Sequence, residues 1–152
     1  MDLRVAVIVV HIASAAVILG APLGITGLIR KALELDLPAL RLAADEGVRR
    51  ARTTGIASMV TLWSGVGLIF LMGGFKIAPL NYHIALGLMF VAVLLSALVL
   101  RPAMIAIWRT TRTETPDRGL IERSLKRMGM FQGIVHLLWV CLLILMFHRI
   151  AH

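Results

Sequence analysis

Four apolar segments of 20 or more residues divide this chain of 152 residues. A helix needs about 20 mostly apolar residues to cross the hydrocarbon core of a bilayer. The segments contain no Asp, Glu, Lys or Arg, and their ranges are 5–29, 53–75, 77–100 and 128–147. The pattern predicts an all-α integral membrane protein, folded as one four-helix transmembrane bundle over residues 1–152. The remaining length leaves no room for a soluble domain.

The composition supports this class. Hydrophobic residues make up 59% of the chain, against about 45–50% in soluble globular domains. The single cysteine, Cys141, excludes a disulfide framework, a cysteine-built zinc site and an iron–sulfur cluster.

The basic residues predict an orientation in the membrane. Thirteen of the 16 Lys and Arg residues lie in the segments 30–52 and 101–127. By the positive-inside rule both segments are cytoplasmic, and both termini and the turn at 75–81 face outward. We therefore expect a multi-pass protein of the bacterial inner membrane. Its net charge of +8 reflects topology and contact with anionic lipid, and gives no support to nucleic-acid binding.

Some loop segments are predicted to be helical as well. Helical patterns continue beyond the membrane in 43–52 and 118–127, with an interruption at 36–38 and a polar linker at 110–117. Pro22 is expected to kink the first span, because proline removes a helical hydrogen bond.

The candidate functional residues of the apolar segments are three histidines, His11, His83 and His136. An ionisable residue within a membrane is costly and suggests a functional site. The absence of intramembrane carboxylates argues against an ion-coupled carrier or a proton-relay transporter. No residue set resembles an acid–base or nucleophilic catalyst, so no catalytic residue is predicted and any enzymatic chemistry would belong to a cofactor.

Three histidines are predicted to lie at similar depth. Counted from the basic residues at the cytoplasmic ends, His11 lies about 28 Å, His83 about 27 Å and His148 about 31 Å along a helix. His136, at about 14 Å, belongs to a deeper layer.

Two histidines at equal depth on different helices are what an axially ligated haem b requires. We predict that His11 and His83 hold the iron. Ala15 and Gly87, one turn further along each helix, and Ser14 would leave space for the macrocycle. Such a protein would transfer single electrons between a membrane quinone or a partner protein and an acceptor, as a haem-dependent oxidoreductase if it is an enzyme.

Other interpretations remain open. The histidines could instead pack between helices or at the membrane interface, in a small structural or assembly subunit of a larger complex or a homo-oligomer. Copper or zinc could bind to His11 and His83 with His148 as a third ligand. A site at the level of His136 is a further alternative, since Gly129 and Gly133 share its helix face.

A family resemblance adds to these expectations. The stretch from His11 to Gly24, leading to Arg30, resembles the first helix of a group of four-helix bacterial membrane proteins. The group includes the copper-resistance CopD domain and the HemJ-type protoporphyrinogen oxidases, whose first helix opens with a Leu-His-apolar motif followed by glycine at the spacing of His11 and Gly20. The stretch from Asn81 to Ala85 resembles the start of their third helix, roughly Trp-x-His-x-Lys. For the HemJ branch the resemblance implies bound haem b and membrane redox chemistry, and for the CopD branch copper handling.

The chain departs from the HemJ-type pattern at three positions. Ile18 and Asn81 stand where tryptophans are typical, and Ala85 stands where lysine is typical. Those groups are expected to serve the porphyrinogen oxidase site, so that specific activity is not expected here.

Overall fold

The computed structural model describes residues 2–147, with the side chain of Phe147 excepted, and within this range it contains helices and no strand. Four of its continuous or nearly continuous helical segments are long and apolar enough to cross a membrane, which makes the chain a multi-pass membrane protein. The elements are α1 (Leu3–Gly20), α2 (Ile25–Leu33), α3 (Leu37–Leu71), α4 (Leu80–Leu95), a π-helical turn (Ser96–Leu100), α5 (Arg101–Thr110) and α6 (Arg118–Phe147).

The first span is broken between α1 and α2, where Pro22 predicts a kink. Gly24 adopts a φ of 76°, in the left-handed region that glycine enters most easily. The break frees backbone carbonyls, which must be hydrogen-bonded elsewhere inside a membrane. The Gln132 side chain donates to the Pro22 carbonyl at 2.9 Å. The guanidinium of Arg50 donates to the Leu23 carbonyl at 3.1 Å.

The second span belongs to a helix much longer than a bilayer. α3 has 35 residues, a length of about 52 Å against a hydrocarbon core of about 30 Å. The Asp36 carboxylate accepts a hydrogen bond from the Ala39 N–H at 2.7 Å, and Pro38 lies in the first turn. The helix predicted over 43–52 is thus confirmed, whereas the interruption predicted at 36–38 lies at 34–36, because Asp36 caps α3 and Pro38 is already in its first turn.

The turn between α3 and α4 shortens two predicted spans. α3 ends at Leu71 and α4 begins at Leu80, whereas apolarity alone extends the spans to 75 and from 77. Gly73 and Gly74 have φ values of 106° and 91°, which end α3 because other residues avoid this region. The linker predicted at 110–117 lies between the end of α5 and the start of α6.

The bundle has two ends, which we call the basic end and the hairpin end. The basic end holds α2, α5 and the first halves of α3 and α6, and the hairpin end holds the turn from α3 to α4. At the basic end the four elements pack around one apolar cluster, formed by Ile25, Ile29, Ala32, Leu40, Ala43, Ala44, Ala103, Met104, Ile107, Ile121, Leu125 and Met128.

Packing is looser toward the hairpin end. There α1 packs along α3, and α4 packs along α6 and, less closely, along α3. The buried cluster of this half is smaller and consists of Ile18, Ala57, Ala85, Met89, Val135, Trp139 and Leu142. Large apolar side chains are exposed on the outer faces of all four spans, as expected where lipid is the solvent.

Candidate functional site

His11 lies on the face of α1 that packs against α3. Its Nδ1 is 2.9 Å from the Ser64 hydroxyl, and that hydroxyl donates its one proton to a backbone carbonyl, with Val60 O at 2.6 Å. With the hydroxyl proton on that carbonyl, the imidazole is the donor, Nδ1–H to Ser64 Oγ. In the neutral ring this leaves the Nε2 lone pair free to bind a ligand.

Space for the His11 ring depends on a glycine. A Cβ at Gly65 would lie 3.2 Å from His11 Cε1, closer than side chains ordinarily approach. One turn further along α1, Ser14 is buried and its hydroxyl accepts from Thr61 at 2.7 Å while donating to the His11 carbonyl at 3.0 Å. His11, Ser14, Thr61 and Ser64 form a polar seam between α1 and α3.

His83 lies near the start of α4, at the hairpin end. Its Nδ1 is 3.2 Å from the Pro79 carbonyl, which can only accept, so Nδ1 carries the proton and Nε2 the lone pair. The ring lies 5.8 Å, centroid to centroid, from Phe75 in the turn that follows α3. The two predicted ligands thus share one tautomer, but their rings contact different elements.

The small residues predicted beside them lie in different surroundings. Ala15 is half-buried and packs against the buried apolar cluster of the hairpin end. Gly87 is exposed with open space around it. Ala85 and Met89 mark the buried face of α4, and Gly87 is about 200° around the helix from each, because successive residues turn by about 100°.

His136 lies in the wall of a cavity of about 410 Å³. Its Nδ1 is 2.8 Å from the Gln132 carbonyl, which again leaves Nε2 as the free nitrogen. The cavity is mostly apolar. Thr54 and Trp139 are among its lining residues, and their side-chain atoms Oγ1 and Nε1 are buried without a hydrogen-bond partner.

The structure gives no support to a three-ligand metal centre within the part that it describes. Among residues 2–147, no group of three or more His, Cys, Asp or Glu residues could hold a metal ion. His148, the predicted third ligand, lies outside the described residues. Cys141 is exposed on α6.

Several residues around these histidines were not singled out from the sequence. They are the partners of His11, the polar groups of the cavity and the arginine at the helix break: Arg50, Thr54, Thr61, Ser64, Gly65 and Trp139. Part of this set could have been found from the sequence, because small residues, three of them with hydroxyl groups, recur in the second span at helical spacing, as Thr54, Ser58, Thr61 and Gly65. Such a face is typical of close helix packing in membranes.

Comparison with known proteins found no match for the chain among family models, curated proteins or solved structures.

Proposed function

We propose that this protein binds haem b through His11 and His83 and transfers single electrons in the membrane. One observation carries the proposal: the Nδ1 of each imidazole is held by a fixed hydrogen-bond partner, Ser64 Oγ in one case and the Pro79 carbonyl in the other, an arrangement that His136 shares with the Gln132 carbonyl. Histidine ligands of metals are commonly held in this way. A hydrogen bond from Nδ1–H orients the ring, and Nε2 is left free to bind the metal.

The surroundings of the two residues support this assignment in part. Because Gly65 has no side chain, the His11 ring has room against α3. At the hairpin end, α1 packs more closely along α3 than along any other span. Ala15 and Gly87 are the small residues next to the ligands on this proposal. When bound, the haem would supply reversible one-electron transfer between its ferric and ferrous states.

The roles of individual residues follow from their hydrogen bonds. Ser64 would hold the plane and tautomer of His11, and the Pro79 carbonyl would do the same for His83. Phe75 would limit rotation of the His83 ring. A membrane quinone or a redox partner protein would exchange the electron. We further propose the bacterial inner membrane as the location, with the basic end cytoplasmic.

An optical spectrum tests this proposal. The protein is purified from cells supplied with haem, and is examined oxidised and dithionite-reduced beside His11→Ala, His83→Ala and His136→Ala. We expect a Soret band with sharp reduced α and β bands in the wild type and in His136→Ala, and loss of those bands in the other two variants. A colourless wild type, or bands lost only in His136→Ala, would contradict the assignment.

A second candidate function is that of a subunit in a larger membrane complex or a homo-oligomer. One helix face supports it, because small residues at helical spacing along α1 and α2 are all exposed: Ala13, Ala16, Gly20, Gly24 and Gly27. The three glycines have open space beside them, and such faces let helices approach closely in lipid. Native mass spectrometry from nanodiscs, with Gly20→Leu as the variant, would show a partner or a second copy that the variant loses.

The copper or zinc alternative depends on His148 as a third ligand beside His11 and His83. Metal analysis of the same purified protein distinguishes it from the haem proposal. Copper or zinc in equimolar amount, removed by His148→Ala and accompanied by no Soret band, would favour metal handling.

A further inference from the structure

The cavity beside His136 lies where several elements meet. α3 and α6 form two of its walls, the π-helical turn and the start of α5 form a third, and Pro22 and Ile25 contribute from the broken first span. Ile56 and Met59 line the cavity and are 59% and 42% exposed. Because exposed apolar residues of a membrane span contact lipid, the cavity opens toward the bilayer beside α3.

A proline explains the irregular backbone in the third wall. Pro102 has no N–H to donate to the Leu98 carbonyl, and its ring would crowd that carbonyl in a regular α-helix. The turn before it, Ser96–Leu100, is π-helical, and three residues of this turn line the cavity. Short π-helical segments within α-helices occur frequently at functional sites.

Two arginines in the wall have no partner in the described part of the chain. Arg52 on α3 and Arg101 on α5 line the cavity and are exposed. Within residues 2–147 neither side chain forms an ion pair or a hydrogen bond. The third arginine of the wall, Arg50, is instead bonded to Glu46 at 2.7 Å. No Asp or Glu of the described residues lines the cavity, so the charges of Arg52 and Arg101 are not compensated there.

The charged and the apolar parts of the wall lie at different depths. Arg52 directly precedes the apolar segment 53–75 and Arg101 directly follows 77–100, so both guanidinium groups lie near the level of the lipid head groups. Toward the hairpin end the lining residues of α3 carry no charge, and Ile18 and Val135 extend the apolar wall. Charge at the membrane boundary and an apolar interior are also the order of groups in an anionic lipid.

Cavity size limits what can enter the apolar part. An apolar cavity of about 150 Å³ holds benzene, with six non-hydrogen atoms. At the same ratio a cavity of about 410 Å³ holds about 16 such atoms. One acyl chain of a membrane lipid fits this volume and two do not. The second chain of a phospholipid can remain in the bilayer, because the cavity is open beside α3.

Charge separates an anionic lipid from a neutral occupant such as a quinone. A neutral occupant would leave Arg52 and Arg101 without a counter-charge. A phosphate accepts short, strong hydrogen bonds from guanidinium groups, and its oxygens point in different directions, so it can bind to arginines on two helices at once. Basic pockets between membrane helices typically bind anionic head groups.

We propose that this cavity is a binding site for one anionic phospholipid. Its phosphate accepts hydrogen bonds from Arg52 and Arg101, one acyl chain occupies the cavity, and the other chain lies along the exposed face of α3. The lipid thus links α3 to α5 at the π-helical turn. The site is independent of the proposed haem ligands, since neither His11 nor His83 lines the cavity.

Native mass spectrometry of the delipidated protein tests the charge requirement with two matched variants. Arg52→Gln/Arg101→Gln removes the arginines of the site. Arg30→Gln/Arg127→Gln removes two exposed arginines that flank the first and fourth apolar segments and do not line the cavity. Both variants lose two positive charges at the same boundary, so the general attraction of the basic end to anionic lipid falls equally in both.

Palmitoyl-oleoyl phosphatidylglycerol is the probe, and phosphatidylcholine with the same chains is its neutral comparison. We expect the wild type and Arg30→Gln/Arg127→Gln to hold one phosphatidylglycerol in preference to phosphatidylcholine. Arg52→Gln/Arg101→Gln should bind phosphatidylglycerol about thirtyfold more weakly, which corresponds to about 2 kcal/mol for two basic residues. Equal loss in both variants would overturn the proposal and assign the binding to the general charge of the basic end.

Tryptophan fluorescence tests whether the acyl chain enters the cavity. Trp139 lines the cavity, whereas Trp63 does not and is 68% exposed on α3. Trp63→Phe/Trp108→Phe keeps Trp139 alone, and Trp108→Phe/Trp139→Phe keeps Trp63. Both are placed in phosphatidylcholine nanodiscs with a small fraction of phosphatidylglycerol or phosphatidylcholine that carries bromine on its acyl chains, after circular dichroism has shown equal helix content.

We expect brominated phosphatidylglycerol to quench Trp139 more strongly than brominated phosphatidylcholine, and both lipids to quench Trp63 alike. Gly55 lines the cavity and has open space beside it, so Gly55→Leu should fill the cavity and remove the difference at Trp139. Equal quenching of Trp139 by the two lipids would contradict entry of the chain. Oleate or decylubiquinone that displaces phosphatidylglycerol at lower concentration than the phospholipid itself requires would overturn the choice of ligand.

The same mass spectrometry on His11→Ala/His83→Ala separates this site from the haem proposal. Phosphatidylglycerol binding should persist there whether or not the wild type contains haem. If the tryptophan variants do not fold, the comparison of the two arginine variants decides the proposal by itself.

Discussion

Arg49 and Arg50 form a matched pair that tests how the broken first span is held in place. Both guanidinium groups donate to Glu46, at 2.8 and 2.7 Å. Only Arg50 also reaches the break between α1 and α2, where it donates to Leu23 O at 3.1 Å and to Ala21 O at 3.5 Å. We predict that Arg50→Ala lowers the free energy of unfolding far more than Arg49→Ala.

The size of the difference follows from these contacts. A hydrogen bond from a charged group contributes about 1.5–3 kcal/mol. The bond to Leu23 has good length but is exposed, which places it at the lower limit, and the bond to Ala21 is too long to add much. The Arg49 pair is on the surface, with the arginine side chain 77% exposed, and is worth about 0.3–0.5 kcal/mol. The expected difference between the variants is about 1–1.5 kcal/mol.

Reversible unfolding by SDS in mixed micelles, followed by far-ultraviolet circular dichroism, measures both variants against the wild type. Arg50→Lys serves as a further comparison, since it keeps the charge but not the planar group that bonds to two elements. Equal destabilisation by Arg49→Ala and Arg50→Ala would refute the claim that Arg50 stabilises the break.

Three further predictions use the same preparation. Gly47→Val should destabilise the basic end by about 2 kcal/mol, because even a Cβ there would lie 2.6 Å from Met104 Sδ; an unchanged unfolding curve would show that Met104 moves aside. Ser64→Ala should lower the free energy of unfolding by only about 0.6 kcal/mol, the mean for side-chain hydrogen bonds between membrane helices. A decrease above about 2 kcal/mol would mean that the hydrogen bond to His11 stabilises the whole polar seam. Cys141 is exposed on α6 and should resist a membrane-impermeant maleimide in vesicles but react once detergent dissolves the bilayer, because the reagent does not enter the hydrocarbon core; rapid labelling of intact vesicles would place Cys141 at the membrane surface.

The spans could be predicted from the sequence because bilayer thickness sets a minimum apolar length. Uncharged runs of 20 residues have few alternative structures, and the start of α3 beside Asp36 and Pro38 follows from capping and from the missing N–H of proline. The exact ends at the hairpin could not be predicted, since Phe75 and Ile77 are as apolar as the helices beside them. Positive φ at Gly73 and Gly74 ends α3, and apolarity carries no information about that.

The candidate site was harder to predict for a different reason. Counting residues from the basic end gives the height of His11 and His83 if each helix is continuous. The break after Gly20 and the π-helical turn after Leu95 both interrupt that count. Height also says nothing about direction around the helix axis, which packing against α3 and α6 decides. Ligation by these two histidines therefore stays a prediction.

The cavity could not be predicted from the sequence for a related reason. Thr54 and Trp139 are 85 positions apart in the chain, and each has an ordinary explanation by itself, as a helix-packing hydroxyl and an apolar ring. Only the structure shows that both residues line one cavity and that each has a buried polar atom without a partner.

Electron paramagnetic resonance of the oxidised protein tests the central claim most directly, because it reports the axial ligands of the iron. The proposal predicts a low-spin ferric signal typical of two imidazoles in the wild type, and its conversion to a high-spin signal, or loss of haem, in both His11→Ala and His83→Ala. His136→Ala should keep the wild-type signal. No haem signal from protein made with ample haem, or a low-spin signal that survives either of the first two substitutions, would contradict ligation by His11 and His83.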